Sequence, residues 1–206
     1  MKSKRVCFKL AVVLTFFSAL GTSANADDDK VEKATGYKKL QAFGAGGEQS
    51  THHYLGMREG KVGLPEDTNP NGENVFVLLV EKAENGVALR AYTVDKEGYL
   101  VGDANYVTAQ GEDVVLTSQF EEGSLWLIRD PNQSGLNAED RWVSLESAAQ
   151  PGSFLRHFSH FANVHQQGRE LDGFYLADST WKFEHVPKII KKLSGGGTAV
   201  LETPEK

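Results

Sequence analysis

Three segments of the chain share one hydrophobic skeleton, and this internal repetition constrains the fold more than any other feature. Each segment contains a strand-like run at a leucine, an aromatic–leucine pair after a loop, and a bulky residue in a later strand. These markers recur at Leu40, Leu89 and Leu145, at Leu55, Leu100 and Leu155, and at Phe76, Trp126 and Trp181. Because units of this length cannot each bury a face alone, we expect them to pool their apolar positions in one core.

Short β-rich runs separated by turn residues make up most of the chain. The predicted strands cover residues 75–80, 87–94, 114–117, 124–128, 142–145 and 174–183. Between them lie Gly, Asn, Asp and Pro clusters, which favour tight turns over continued strands. Together with the repeats, this pattern predicts an all-β fold, a β-trefoil of three pseudo-repeats over residues 37–187.

The first 26 residues have the organisation of a secretory signal. A basic start is followed by an apolar run over residues 10–20 and then by Ala24, Asn25 and Ala26. The run is shorter than the roughly 18 apolar residues of a membrane-spanning helix, so we predict cleavage after Ala26. The protein is therefore expected to be exported, either secreted or periplasmic, with no membrane attachment after signal removal.

Two peripheral segments flank the expected repeats. Residues 27–36 form an acidic lead and residues 188–206 a tail with a basic start and a glycine run, and both are predicted to be flexible. The basic part of the tail is interpreted as a solvated terminal strand or turn. A membrane-surface or partner motif is the alternative reading.

Composition excludes several classes of function. The only cysteine, Cys7, lies in the signal, so the mature chain has no thiol or disulfide. Loss of four signal cations moves the formal net charge from -6 to -10, which disfavours a nucleic-acid partner. The histidines show no zinc-like spacing, and no phosphate loop or hydrolase motif is present, so no metal, cofactor or catalytic residue is predicted.

The third repeat, residues 143–183, carries a more specific pattern. It opens with V-S-L-E-S, turns through P-G-S-F-L-R-H and Asp172 and Gly173, and closes with A-D-S-T-W-K-F. In these motifs it resembles the arabinose-binding domain of the α-L-arabinofuranosidase B family, a β-trefoil carbohydrate-binding module. The first two repeats match that family only in hydrophobic skeleton and length.

The resemblance implies a small pocket for a furanose sugar. It places His157 and Asp178 in the pocket, and a nearby ring such as Tyr175 or Phe158 is suited to cover the C–H face of the sugar. A carboxylate can accept hydrogen bonds from neighbouring hydroxyls, and an aromatic ring suits an apolar sugar face. The structural alternative is that Asp178 caps a turn and His157 is a satisfied polar residue at a strand end.

Only one pocket is expected, because the corresponding positions differ in the other repeats. They are assigned as Met57 and Glu73 in the first repeat and Gly102 and Gly123 in the second. Neighbouring residues are given structural roles: Arg156 is expected on the strand surface, whereas Trp126 and Trp181, which fall on a repeat marker, are expected in the core.

The sequence thus favours non-catalytic recognition of L-arabinofuranosyl side chains on a hemicellulose such as arabinoxylan. Two alternatives stay open. One is a secreted protein-interaction or inhibitor module, since a trefoil scaffold does not fix function. The other is a glycoside hydrolase related to α-L-arabinofuranosidases, for which two carboxylates would have to flank the scissile bond. Oligomeric state is not encoded in any pattern of the sequence.

Overall fold

The computed structural model describes residues 24–44, 53–66, 69–137, 140–166, 174–193 and 197–202. Most of the predicted signal, His52, and the predicted turn at Asp172 and Gly173 lie outside the described residues. None of the helices within these ranges has the length and apolarity needed to cross a membrane.

Six antiparallel strands close into a ring at the centre of the fold. In order around the ring they are β13 (Trp181–His185), β1 (Gly36–Ala42), β5 (Val77–Ala83), β6 (Gly86–Val94), β9 (Leu125–Arg129) and β10 (Trp142–Ser147). Pairing of β10 with β13 completes the circle. Each repeat contributes two of these strands, so the ring forms only when all three repeats are present.

Three hairpins project from the ring, one from each repeat. They consist of β3 (Gly56–Arg58) with β4 (Lys61–Gly63), β7 (Tyr99–Gln110) with β8 (Asp113–Thr117), and β11 (Ser153–Phe158) with β12 (Phe161–Gln166). A short strand β2 (His53–Tyr54) pairs with β1. Strand β12 pairs with β4 and with β8, which brings the hairpins together over one end of the ring. A closed six-stranded ring capped by three hairpins is the β-trefoil that the sequence predicts.

Strand register identifies which residues are equivalent in the three repeats. Leu40, Leu89 and Leu145 face Phe183, Val80 and Ile128 across the boundaries between repeats, and all three leucines are completely buried. The first repeat marker is therefore confirmed. The residues two positions before these facing partners are Trp181, Leu78 and Trp126. The first-repeat counterpart of the tryptophans is therefore Leu78, and the predicted alignment of Phe76 with them is wrong.

The second-repeat member of the aromatic–leucine marker was also assigned wrongly. The pairs that flank the hairpin turns are Arg58 with Lys61, Gln110 with Asp113, and Phe158 with Phe161. Counting back from these turns, Leu55 and Leu155 correspond to Val107 and not to Leu100. Strand β7 is longer than its counterparts, and its early residue Leu100 belongs to a separate apolar cluster with Tyr92 and Ile189.

Trp126 and Trp181 occupy the core in equivalent ways, as expected. Both are fully buried, and the indole Nε1 of each donates a hydrogen bond of 2.9 Å to a hairpin carbonyl, Val107 O and Leu155 O respectively. Each tryptophan thereby ties its ring strand to the hairpin of the same repeat. A buried indole must find an acceptor for its N–H, and the repeat supplies one at the same place.

The ends of the described chain are ordered as secondary structure. Helix α1 (Ala24–Ala34) places Val31 and Ala34 in the main core cluster, where the sequence suggested a flexible lead. Strands β14 (Lys188–Lys192) and β15 (Thr198–Glu202) form a hairpin that pairs in parallel with β7. The basic segment of the tail is thus a terminal strand, which was one of its two predicted forms.

The predicted strand over residues 174–183 is wrong in its first half. Residues Tyr175–Asp178 form the short helix α2, and only Trp181–His185 is extended. The side-chain hydroxyls of Ser179 and Thr180 cap the C-terminal end of this helix. They donate hydrogen bonds to Tyr175 O and Leu176 O, respectively. These local bonds satisfy the helical carbonyls that a strand would have paired with a neighbour. A further short 3-10 helix covers Glu122–Ser124.

Candidate functional site

The four residues predicted to form a sugar pocket lie on two elements of the third repeat. His157 and Phe158 end strand β11, and Tyr175 and Asp178 begin and end helix α2. The strand and the helix pack against each other, so the side chains meet although about twenty positions separate them in sequence. We refer to this group, together with Arg156, as the third-repeat site.

Arg156 is the centre of the site and was wrongly expected on the surface. Its side chain is completely buried, and Nη2 donates to Asp178 Oδ2 across 2.6 Å. Its guanidinium also lies 4.9 Å from the Phe158 ring centroid and 5.2 Å from that of Tyr175. A guanidinium can be buried when a carboxylate neutralises it and aromatic faces cover its plane, and this arrangement supplies both.

His157 is held in one orientation near the Asp178 carboxylate. It is 5% exposed, its Nε2 donates to Phe43 O at 3.1 Å, and its ring meets Trp181 edge to face at 5.7 Å. The same nitrogen lies 3.7 Å from Asp178 Oδ1. Burial lowers the pKa of His157 below its ordinary value, and the opposing effect of Asp178 is smaller. The imidazole is therefore a neutral donor at neutral pH.

The two predicted aromatic residues differ in accessibility. Tyr175 is buried, its hydroxyl donates to His165 O at 3.0 Å, and burial raises its pKa to about 12. Its ring covers Arg156 and is not available as a face for a ligand. Phe158 is 38% exposed, so of the two rings it is the one that can contact a bound molecule.

The pair of His157 and Asp178 has no counterpart with the same chemistry in the other repeats. Register places Met57 and Val75 at these positions in the first repeat, and Ala109 and Gly123 in the second. Gly123 and Met57 were assigned correctly, whereas Ala109 replaces Gly102 and Val75 replaces Glu73. The corrected counterparts are apolar or lack a side chain.

Backbone fills the space that Arg156 and Asp178 occupy in the third repeat. At Gly56, which corresponds to Arg156, a Cβ atom would lie 1.9 Å from Asn74 O. At Gly123, which corresponds to Asp178, it would lie 2.2 Å from Ala109 O. The second repeat has a hydroxyl contact instead, between Thr108 Oγ1 and Ser124 Oγ at 2.8 Å. The charged site is thus specific to the third repeat among the described positions.

The hydrogen-bonding capacity of the site is concentrated on one accessible carboxylate. Asp178 is 13% exposed in its side chain, and its Oδ1 lies beyond hydrogen-bond distance of His157 Nε2. A carboxylate offers about four lone-pair positions, and Arg156 engages Oδ2. Oδ1 therefore retains acceptor capacity for a hydroxyl donor, while the hydrogen bond from Arg156 fixes the orientation of the carboxylate.

No group of three or more His, Cys, Asp or Glu side chains is placed to hold a metal ion within the part of the chain that the structure describes. The histidines His53 and His160 approach each other, with ring centroids 6.4 Å apart.

Arg156 is the residue of the candidate site that sequence reasoning missed. A usable signal exists in the strand itself, because Arg156 follows the apolar residues Phe154 and Leu155 in a repeat that also carries acidic residues. A charged residue inside an otherwise core-like strand is seldom buried unless it is paired. That rule would have predicted an acidic partner for Arg156, but not which of the acidic residues of the repeat it is.

Comparison with known proteins bears on the fold of the chain. No protein-family model matches the sequence, and no curated protein sequence matches it. Among solved structures, a GH54 α-L-arabinofuranosidase soaked with 4-nitrophenyl α-L-arabinofuranoside is 16% identical with a TM-score of 0.50, covering 73% of this chain and 31% of the enzyme. The chain thus corresponds to less than a third of that enzyme's length.

Two lectins are also similar in structure. SeviL bound to asialo-GM1 saccharide is 10% identical with a TM-score of 0.45, covering 73% of this chain and 97% of SeviL. A Polyporus squamosus lectin bound to a sialylated influenza-binding epitope is 12% identical with a TM-score of 0.48, covering 76% and 51% of the two chains. At 16% identity, the similarity to the arabinofuranosidase is evidence for the fold alone. It agrees with the β-trefoil that the strand pairing defines.

Proposed function

We propose that the chain binds carbohydrate through the third-repeat site, without carrying out a reaction on it. The observation that carries this proposal is the partly exposed Asp178 carboxylate, fixed by the buried Arg156 next to the exposed ring of Phe158. A preorganised acceptor beside an aromatic face matches a sugar, which combines hydroxyl donors with an apolar C–H face. The likeness in fold to an α-L-arabinofuranosidase supports the same class of ligand.

The finer proposal is an L-arabinofuranosyl side chain on a plant-type polysaccharide such as arabinoxylan. It is supported by the resemblance of residues 143–183 to the arabinose-binding domain of the α-L-arabinofuranosidase B family. A single sugar that branches from a polysaccharide can approach a carboxylate that is only partly exposed, whereas the main chain of the polysaccharide cannot. The predicted signal supports an exported protein, secreted or periplasmic, which would meet such polymers outside the cytoplasm.

A protein partner is the second candidate, and one observation favours it. Large apolar side chains are exposed around the site: Phe174 is 63% exposed and Leu176 40% exposed on or beside the helix that carries Asp178. Exposed apolar groups near a charged residue are typical of protein-interaction surfaces.

Affinity electrophoresis distinguishes the two candidates. The mature protein is run in gels containing arabinoxylan, arabinan or unsubstituted xylan, together with Asp178→Asn and Phe158→Ala. The asparagine keeps an oxygen for Arg156 and so limits the effect on folding. Asp103→Asn makes the same charge change at an exposed position of the second repeat and serves as the matched control.

We expect retardation on the two arabinosylated polymers, loss of retardation in both site variants, and unchanged migration of the control. Retardation on unsubstituted xylan to the same extent would contradict the arabinofuranosyl assignment. Unretarded migration of the wild-type protein in every gel would reject carbohydrate binding and favour a protein partner.

A further inference from the structure

A groove of about 490 Å³ opens where the three hairpins meet, at the end of the ring that they cover. Residues of all three repeats line it, including Lys61, Asp113, Leu116, Phe158, Phe161 and Asn163. Its volume lies within the range of about 300–1,000 Å³ typical of small-molecule sites. The groove is distinct from the Arg156–Asp178 pair, neither of which lines it.

The lining of the groove combines aromatic faces with polar groups of both signs. Phe161 is partly exposed, and Lys61 Nζ lies 5.7 Å from its ring centroid. Lys61 and Asp113 are both exposed and belong to different repeats. An ammonium donor, a carboxylate acceptor and an amide around aromatic rings suit a neutral polyhydroxylated ligand better than an anion, a cation or a purely apolar molecule.

Phe158 connects the groove with the third-repeat site. Its ring lies 4.9 Å from the Arg156 guanidinium carbon and 5.8 Å from the His165 ring, and the same residue lines the groove. Phe158 therefore forms a shared wall between the two.

We propose that this groove is a second carbohydrate subsite, which holds the main chain of a polysaccharide whose branch sugar occupies the third-repeat site. The inference rests on the proposed function. It specifies the class of ligand further, as branched oligosaccharides with a pyranose main chain. Main-chain contacts in the groove add to the small contact area of a single branch sugar, so a branched oligosaccharide binds more tightly than the isolated branch sugar does.

The test is isothermal titration calorimetry of the mature protein with two ligands. One is methyl α-L-arabinofuranoside, and the other is an arabinoxylan oligosaccharide with four main-chain xyloses and one arabinofuranosyl branch. Phe161→Ala and Lys61→Ala alter the groove, whereas Phe120→Ala removes an exposed ring that does not line it. Lys61 is exposed, so its variant keeps the fold even if Phe161→Ala weakens it.

The wild-type protein and Phe120→Ala are expected to bind the oligosaccharide about tenfold more tightly than the methyl glycoside, a difference equal to a few good contacts. Both groove variants should lose most of this advantage and bind the methyl glycoside as the wild type does. Groove variants with undiminished oligosaccharide affinity would overturn the subsite and leave the proposed function standing. A wild-type protein that binds neither ligand would overturn both.

Discussion

Arg156 and Asp178 form an ion pair of 2.6 Å between Nη2 and Oδ2, in which the arginine side chain is completely buried and the carboxylate keeps a small contact with solvent. The pair joins strand β11 to helix α2, and the rings of Phe158 and Tyr175 cover the guanidinium. It therefore has two roles. It closes the interior of the third repeat, and it fixes the carboxylate proposed to meet a ligand.

Removal of the carboxylate is expected to destabilise the protein strongly. Asp178→Ala removes the carboxylate that lies 2.6 Å from the buried Arg156 guanidinium, and breaking a buried pair in this way typically costs about 3–5 kcal/mol. The double variant Arg156→Met with Asp178→Ala should lose less, because the buried guanidinium is removed together with the carboxylate. Urea denaturation measures both, and an Asp178→Ala loss no larger than that of Asp103→Ala would contradict the structural role of the pair.

The two core tryptophans should behave alike. Trp126→Phe and Trp181→Phe each leave a buried hairpin carbonyl, Val107 O or Leu155 O, without its indole donor. An unsatisfied buried group costs about 1–3 kcal/mol, and the lost ring volume adds to it. Thermal unfolding should show similar losses for the two variants. Trp142→Phe is the control, since Trp142 is only partly buried, and its loss should be distinctly smaller.

Stability is expected to fall as pH is lowered from 7.5 to 5.5. Burial lowers the pKa of His157 in the folded state; Asp178 opposes this shift, and Arg156 and His160 add to it, each by a smaller amount. Below the ordinary pKa of 6.5, the unfolded chain therefore binds the proton more readily than the folded chain does. The stabilisation is thus present above pH 6.5 and lost below it. Urea midpoints at the two pH values measure the change.

His157→Gln should reduce this pH dependence without abolishing it. The pKa of His53 is also lowered by burial, so a second histidine contributes a slope of the same sign. A pH dependence of stability that is identical in the wild type and in His157→Gln would show that protonation of His157 does not change the free energy of unfolding.

A fourth prediction concerns the terminal hairpin. Asp95 accepts hydrogen bonds from Lys192 Nζ and from the backbone N–H groups of Glu97 and Tyr99, and the contact with Lys192 is the largest cause that lowers its pKa to about 2. NMR titration of the Asp95 carboxyl should return a value near 2 in the wild type. In Lys192→Met it should rise toward the ordinary value of 3.8.

Lys96→Met is the matched control for this titration. It removes an equal charge from the neighbouring residue, whose Nζ pairs with Glu97 and not with Asp95. The Asp95 pKa should change little there. Equal increases in the two lysine variants would mean that general charge, and not the contact between β14 and the loop at Asp95, lowers the pKa.

The repeat pattern predicted the architecture, but it placed individual markers with errors of up to seven residues. Leu40, Leu89 and Leu145 were aligned correctly because strands of the central ring permit no insertion without breaking the register. Leu100 was aligned wrongly with Leu55 and Leu155, because strand β7 is longer than its counterparts and an aromatic–leucine pair occurs early in it. The true counterpart, Val107, has no aromatic–leucine signature.

The sequence predicted most of the residues that form the candidate site, but not the role of each. His157, Phe158, Tyr175 and Asp178 do lie together; the motif resemblance indicated His157 and Asp178, and the chemistry of sugar binding indicated a nearby ring. Their roles could not be assigned from the motif, because burial depends on what covers each side chain. Tyr175 proved to cover Arg156 and to bond His165 O, which leaves Phe158 as the accessible ring.

The sequence by itself determined the threefold all-β organisation and the difference between the third repeat and the other two. Periodic apolar positions are a local property of the chain, and they restrict which faces can be buried. The tertiary structure alone decided that Arg156 is buried against Asp178, that Phe158 is exposed while Tyr175 is buried, and that the hairpins form a groove where they meet. Each of these depends on distances between residues far apart in sequence, and such distances are set only when all three repeats close the ring.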